Sequence, residues 1–147
     1  MAIRTIRTIG DELLRKNSRK VDEVTDRIKI LIKDMADTMY EAEGIGIAAP
    51  QVGVLKRIFV IDINDETGLK VFINPEIIEA SGKQEDVEGC LSVPERNAVV
   101  ERPEKIKVRA MNEKGEEFEL EAEGLLARAI CHENDHLDGI LFVDKAH

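Results

Sequence analysis

The 147-residue sequence contains no tryptophan, one tyrosine and four phenylalanines, so its aromatic content is only 3%. A hydrophobic core must therefore be built mainly from isoleucine, leucine, valine and methionine. No apolar run approaches the roughly 20 residues that a membrane helix needs. The first 20 residues alternate charged and apolar side chains and lack the features of a signal peptide. We therefore expect a cytoplasmic protein with no membrane partner.

Positive charge and cysteine are also scarce. The chain has 21 Lys and Arg against 30 Asp and Glu, which gives a formal net charge of -9. This charge argues against a general affinity for nucleic acid or for anionic membranes, both of which attract basic surfaces. Two cysteines in a cytoplasmic chain serve more readily as thiols or metal ligands than as a disulfide.

The first half of the chain predicts one helix and one unusual loop. Apolar residues recur at helical spacing from Thr25 to Ala42, with Thr25 or Asp26 as the N-cap and Gly44 as the end of the helix. The following segment, GIGIAAPQVG (44–53), is rich in glycine and is interrupted by Pro50. It predicts a loop whose backbone closely approaches another part of the molecule.

The second half predicts strands followed by a helix. β-branched or alternating apolar segments occupy residues 57–63, 70–78, 104–112 and 116–122, and the last two predict a hairpin. A second helix is predicted over Gly124–Leu137, with Gly139 at its end. No linker or repeat divides the chain, so we expect a single catalytic domain over residues 1–147. The fold class is α+β, with a mostly antiparallel sheet packed around the C-terminal helix and with an N-terminal helix.

The second predicted helix carries His132, Glu133 and His136. Residues four apart share a helix face, so both imidazoles can reach one metal ion, while Glu133 lies about 100° around the helix and can act as a general base. The chain has only three histidines, and Leu125 and Ala129 continue the histidine stripe, which predicts that this face points inward. The pattern favours the active site of a metal-dependent hydrolase over the alternative that these are two ordinary surface histidines.

A catalytic metal needs a third protein ligand and one open position. Downstream of His136 the candidate ligands are poor. Phe142 stands where an extended histidine motif needs histidine, and no glutamate follows Glu133. The remaining histidine, His147, is the last residue. We therefore expect the ligand upstream, and Cys90 is the best candidate because a thiolate binds borderline metals strongly. Its competitor Cys131 points away from the neighbouring histidine on a helix and is interpreted as a small buried hydrophobe.

Three segments in this order resemble the signature motifs of the peptide deformylase family: GIGIAAPQ (44–51), EGCLS (88–92) and HENDH (132–136). The resemblance extends over nearly the whole chain. It implies hydrolysis of the N-terminal formyl group from the formylmethionine of newly made polypeptides. It also implies Fe²⁺ as the natural metal, although one cysteine and two histidines equally suit Zn²⁺, Ni²⁺ or Co²⁺.

The resemblance also implies a role for each motif residue. Glu133 is the general base and then the acid that protonates the departing amine. Gln51 and the backbone N–H of Leu91 stabilise the oxyanion of the tetrahedral intermediate. The implied metal ligands are Cys90, His132 and His136.

The substrate-binding residues are predicted around the same motifs. Gly44, Ile45 and Gly46 can pair with an extended peptide as a strand would. The methionine side chain needs an apolar pocket, for which the candidates are Ile45, Val87, Leu91, Leu125 and Ala129, each equally explained as ordinary core. We place Glu88 beside this pocket; its carboxylate either orients a histidine or pairs with an arginine such as Arg102, and we favour a buried ion pair.

The sequence departs from the family pattern in three places. Ile47 stands where leucine is usual, and Cys131 stands where glutamine commonly precedes the first histidine. The sequence ends at His147 without the long basic C-terminal helix that other members use to dock on the ribosome. We therefore expect at most a transient contact with the ribosome.

Two other functions share the helix motif. A general metallopeptidase that cuts internal peptide bonds is the first alternative. A non-catalytic metal-binding module is the second, and it is disfavoured because a structural site needs no Glu133 and normally closes its fourth position with another His or Cys.

Overall fold

The structure, a computed structural model, describes residues 3–145, with only the backbone of Glu95. His147, considered above as a ligand, lies outside these residues. The helices are α1 (Asp26–Glu41) and α2 (Gly124–Leu137). The strands are β1 (Gly46–Ala48), β2 (Ile58–Ile61), β3 (Lys70–Ser81), β4 (Gln84–Cys90), β5 (Val93–Arg102), β6 (Lys105–Met111) and β7 (Glu117–Glu123). Short 3-10 helices span Glu12–Arg15, Ala49–Val52 and Phe142–Asp144.

The strands form two antiparallel sheets. Five of them make one sheet in the order β1-β2-β3-β6-β7, while β4 and β5 pair separately as a hairpin. Helix α2 packs against β1, β2 and β7, and α1 packs against β1 and β2. The predicted α+β class, with a C-terminal helix against an antiparallel sheet, is confirmed. No helix within the described residues is long and apolar enough to cross a membrane.

Helix α1 begins as the sequence predicted but ends earlier. The Thr25 side chain accepts a hydrogen bond from the Ile28 N–H at 3.3 Å, which makes Thr25 the N-cap. The left-handed residue after the helix is Glu43, with φ 59°, and not Gly44. Gly44 is needed for space instead, because a Cβ there would lie 2.8 Å from the Leu91 side chain.

The strand predictions were right for the β6–β7 hairpin and incomplete elsewhere. Strands β6 and β7 pair as predicted, with Lys107 opposite Glu121 and Arg109 opposite Glu119. The segment predicted as a loop contains strand β1, so that prediction was wrong for Gly46–Ala48. Strands β4 and β5 were missed because β4, with the sequence QEDVEGC, has no alternating apolar pattern.

The core is aliphatic, as the shortage of aromatic residues requires. The cluster between α1 and the sheet consists of isoleucine, leucine, valine, methionine and alanine alone. The cluster beneath α2 adds Phe59 and Phe72, whose rings stack at 4.8 Å. Ile130 and Leu137 of α2 are completely buried in this second cluster, and they fix the helix that carries both histidines.

We expect Ile130→Ala to lower the free energy of unfolding by about 2–5 kcal/mol, because it leaves a cavity in a rigid core. Ile130 is 0% exposed, whereas Ile30 on α1 is 59% exposed. Ile30→Ala is therefore the matched control and should change stability by less than about 0.5 kcal/mol. Urea unfolding at equal metal loading measures both. Equal effects in the two variants would contradict the packing of α2 described above.

Candidate active site

Three side chains from two elements form a candidate metal centre. Cys90 is the last residue of β4, and His132 and His136 lie one turn apart on α2. Their ligand atoms all lie within 4.8 Å of one another, and the Cys90 Sγ is 3.3 Å from the His136 Nε2. Two ligands of one tetrahedral ion at about 2.0–2.3 Å lie roughly 3.6 Å apart. The donor set and its spacing therefore fit a single metal ion.

The protonation of the two histidines differs. Burial lowers the pKa of His136 well below its usual value, so its imidazole is neutral and has a lone pair for a metal. Burial also lowers the pKa of His132, yet hydrogen bonds to Cys90 and Glu88 outweigh this and raise it to about 10. Metal binding at His132 therefore displaces a proton.

Glu88 connects the histidine to the arginines behind it. Its Oε1 accepts a hydrogen bond from the His132 Nδ1 at 2.9 Å, which turns the Nε2 towards the metal centre. Arg102 binds both carboxylate oxygens of Glu88 at 2.9 Å, and Arg128 also binds one of them. Burial raises the pKa of Glu88, but hydrogen bonds to His132 and Arg102 lower it to about 2. The two alternatives for Glu88, orienting a histidine and pairing with an arginine, are therefore both present.

Glu133 lies beside the three ligands without joining them. It is buried, and its Oε1 has no hydrogen-bond partner among the residues that the structure describes. Its Oε2 faces Gly46, where a Cβ would lie 2.6 Å away. Burial raises the pKa of Glu133 to about 7. A carboxyl group with a pKa near neutrality is suited to accept and donate protons at physiological pH.

The Gln51 side chain is fixed at both ends of its amide. Its Oε1 accepts a hydrogen bond from the Ala48 N–H at 2.8 Å, so it caps its own loop. Its Nε2 donates to the Ser92 Oγ at 3.1 Å and lies 3.6 Å from the Cys90 Sγ. The amide N–H is therefore held beside the metal centre.

A cavity of about 310 Å³ opens beside these residues. This volume is at the lower end of the range for small-molecule sites. All seven residues predicted to bind substrate line it, namely Gly44, Ile45, Gly46, Val87, Glu88, Leu125 and Ala129, together with Leu91. Val87 and Leu125 are 58% and 51% exposed, so they lie at its mouth. The prediction that Leu125 and Ala129 mark an inward helix face is confirmed for Ala129, which is buried, and wrong for Leu125, because the first turn of α2 borders the open cavity.

A larger hollow of about 500 Å³ lies on the sheet, away from the cysteine and histidines. It is lined by neighbouring ends of β3, β6 and β7. Lys107 there pairs with Glu79 and Glu119. These charges neutralise one another on an exposed sheet face. The smaller cavity is the candidate substrate site because His132 of the metal-ligating cluster and the buried Glu133 line it.

The sequence predictions missed two residues that build this site. Ser92 is completely buried and binds Gln51 through its hydroxyl, and its N–H lies 3.4 Å from the Cys90 Sγ. Arg128 is buried against Glu88. Its position four residues before His132 on the same helix was the available signal, since residues at this spacing share a face.

Comparison with known proteins decides the family. A family model described as polypeptide deformylase matches residues 3–147. The chain belongs to this family. Peptide deformylase 1 of Clostridium acetobutylicum is 64% identical over 145 residues, which cover 99% of this chain and 95% of that protein.

Solved deformylase structures agree with this assignment. The enzyme from Thermotoga maritima superimposes with a TM-score of 0.97 at 42% identity, covering 100% of this chain and 99% of that one. The enzyme from Legionella pneumophila gives a TM-score of 0.96 at 48% identity, covering 99% of this chain and 87% of that one. This deformylase is a metallo-hydrolase that removes the formyl group from N-terminal formylmethionine. Its metal-binding site consists of Cys90, His132 and His136.

We expect Cys90→Ala to weaken metal binding by more than about a hundredfold. Removing a residue that only hydrogen-bonds to a ligand typically lowers metal affinity about ten- to a hundredfold, and the loss of a direct ligand should cost more. Cys131→Ala is the matched control: Cys131 is buried and is not part of the ligand cluster. Metal content after dialysis against a chelator measures both. A loss of metal in the Cys131 variant alone would contradict the assigned ligand.

Proposed function

We propose that Glu133 is the general base of deformylation and then the acid that protonates the departing amine. The observation that carries this proposal is its position: a buried carboxylate beside the three ligands, with a pKa raised by burial to about 7. A metal ion held by Cys90, His132 and His136 would supply an activated water and a polarised substrate carbonyl. Glu133 accepts the proton of the attacking water and transfers it to the amine nitrogen as the C–N bond breaks.

The side-chain amide of Gln51 and the backbone N–H of Leu91 stabilise the oxyanion of the tetrahedral intermediate. Two hydrogen bonds orient the Gln51 amide, and its second N–H, which lies towards the Cys90 Sγ at 3.6 Å, is the donor that the oxyanion would receive. Leu91 follows Cys90 directly, which keeps its N–H close to the metal centre. Donors fixed in a buried site stabilise an oxyanion far better than water does.

The substrate peptide binds along β1 and inserts its methionine into the cavity. Strand β1 is an edge of the five-stranded sheet, so one side of its backbone is available to an extended peptide. Gly44 and Ile45 lead directly into this edge strand, and Gly46 is its first residue. The methionine side chain packs against the apolar wall made by Ile45, Val87, Leu91, Leu125 and Ala129. Glu88 lines the cavity but does not bind the substrate through its carboxylate, because His132 and the two arginines already occupy it.

Fe²⁺ is the metal that we propose for this enzyme in the cell, with Zn²⁺, Ni²⁺ or Co²⁺ as substitutes. One thiolate and two imidazoles bind any of these ions. The thiolate makes the iron form sensitive to oxygen. A reducing cytoplasm, where formylmethionyl nascent peptides are made, is therefore the compartment that suits both the metal and the substrate.

The predicted partners are formylmethionyl nascent peptides, with any ribosome contact transient. A net charge of -9 gives the chain no general affinity for ribosomal RNA or anionic lipid. The enzyme must then recognise a nascent peptide through its formylated N-terminus, which enters the cavity.

We expect Glu133→Ala to keep its metal and to lose about a hundred- to ten-thousandfold in kcat, the range typical of removing a general acid–base. Gly46→Ala should also lose activity with its metal retained, because the new Cβ displaces the Glu133 carboxylate. Metal analysis and steady-state kinetics on a formyl-Met peptide test both. Loss of metal from the Glu133 variant would instead make Glu133 a ligand.

As the family resemblance implies, we expect the Fe²⁺ form to be fast and to lose activity in air, the Ni²⁺ form to be active and stable, and the Zn²⁺ form to be less active. Cys90 as a thiolate beside a redox-active metal is the physical reason for the loss. Rates of the three reconstituted forms, measured with and without oxygen, give the answer. A zinc form as fast as the iron form would count against iron.

We expect efficient hydrolysis of formyl-Met peptides, far weaker hydrolysis of acetyl-Met peptides and no cleavage of internal bonds. The formyl carbon carries only hydrogen beyond its carbonyl, whereas acetyl places a methyl group there. If that methyl displaces the carbonyl from Gln51 and Leu91 by about an ångström, the rate falls on the order of a hundredfold.

A side-by-side measurement of kcat/KM on formyl-Met, acetyl-Met and formyl-Asp tripeptides tests this selectivity. Formyl-Asp should be a poor substrate, because the apolar wall would face an unpaired charge. Comparable rates on the formyl and acetyl peptides would contradict a site shaped for the formyl group.

A further inference from the structure

The connection between α1 and β1 forms one wall of the substrate cavity through Glu43, Gly44 and Ile45. Glu43 has a left-handed backbone, with φ 59°, which is uncommon for any residue other than glycine. Such a conformation persists only where surrounding contacts hold it. The contacts that hold this connection therefore decide the shape of the cavity wall.

Asp62 holds the connection at both of its ends. Its backbone N–H donates to the Ile45 carbonyl oxygen at 2.9 Å. Its carboxylate Oδ2 accepts a hydrogen bond from the Tyr40 hydroxyl at 2.6 Å. Tyr40 lies in the last turn of α1, Ile45 precedes β1, and Asp62 directly follows β2. Tyr40 is 45% exposed, but partial desolvation and the hydrogen bond to Asp62 raise its pKa to about 12, so the phenol remains a donor at neutral pH.

Small shifts of this wall affect the active site because two of its glycines touch residues there. A Cβ on Gly44 would lie 2.8 Å from the Leu91 side chain, and one on Gly46 would lie 2.6 Å from the Glu133 carboxylate. A shift of the connection therefore changes the gap between the edge of β1 and the opposite side of the cavity, where the substrate backbone has to fit.

We propose that Tyr40 and Asp62 are a positioning pair that holds residues 43–46 in the conformation that binds the substrate peptide. Neither residue is among those that line the cavity. The inference rests on the proposed pairing of the substrate with residues 44–46. When a binding conformation is only partly populated, apparent affinity falls in proportion to that population. Among the described residues, Tyr40 and Asp62 make no hydrogen bond to Glu133, Gln51 or the metal ligands, so kcat should change much less than KM.

Kinetics of matched variants test the pair. Tyr40→Phe removes only the hydroxyl, and Asp62→Ala removes the acceptor together with a turn contact to the Asn64 N–H. Asp65→Ala is the control, because Asp65 lies in the same connection between β2 and β3 and makes the equivalent turn contact to the Thr67 N–H.

With a formyl-Met tripeptide and equal metal loading, Tyr40→Phe and Asp62→Ala should raise KM about fivefold, the effect of one lost hydrogen bond. Their kcat and metal content should stay within about twofold of the wild type, and Asp65→Ala should match the wild type. The double variant should resemble Asp62→Ala, because both changes break one interaction. An unchanged KM in both single variants, even with a lower Tm, overturns the positioning role.

Hydrogen exchange separates this inference from the proposed substrate site. In the free protein, Tyr40→Phe should speed exchange of the Gly44 amide, which bonds to the Met39 carbonyl, and of the Asp62 amide. In the wild type, saturation with a Met tripeptide product should slow exchange at Ile45 and Gly46, whereas the Gly44 amide is already bonded to Met39. Missing protection in the wild type overturns the proposed strand pairing. Protection in the wild type together with unchanged exchange in Tyr40→Phe overturns the positioning pair alone.

Discussion

The buried carboxylate of Glu88 is the contact on which the active site depends. It lies near the end of β4, and it binds His132 on α2 together with Arg102 and Arg128. A buried charge is strongly unfavourable unless its partners are in place. Contact of the β4–β5 hairpin with α2 gives Glu88 its partners His132 and Arg128, and the same contact places Cys90 beside the histidines.

Burial has opposite effects on the two glutamates of this site. Glu88 has cationic and hydrogen-bonding partners, and its pKa falls to about 2. Glu133 has no hydrogen-bond partner at its Oε1 within the described chain, and its pKa rises to about 7. One carboxylate is thus a permanent anion that orients a ligand, and the other exchanges protons near neutral pH. The different partners of two buried carboxylates produce this division of roles.

The sequence predicted the elements with strong local patterns and missed those that depend on distant partners. Helix α2 was predicted to the residue, because its apolar spacing and Gly139 define it locally. The polar strand β4 has no such pattern. Pairing with β5 and the contacts of Glu88 stabilise it instead. For Glu88 the sequence favoured an ion pair with an arginine such as Arg102, which is present, but it could not show that His132, 44 residues away, binds the same carboxylate. Local rules fail where function imposes long-range contacts.

Metal affinity of a Glu88→Gln variant tests the central role of this carboxylate most directly. The substitution keeps the shape of the side chain and removes the charge that orients His132, while Arg102 retains its ion pair with Asp135. Competition with a chelator of known affinity gives the dissociation constant of the metal. We expect the affinity for the metal to fall about ten- to a hundredfold. An affinity equal to that of the wild type would show that Glu88 neither orients the ligand nor assembles the site.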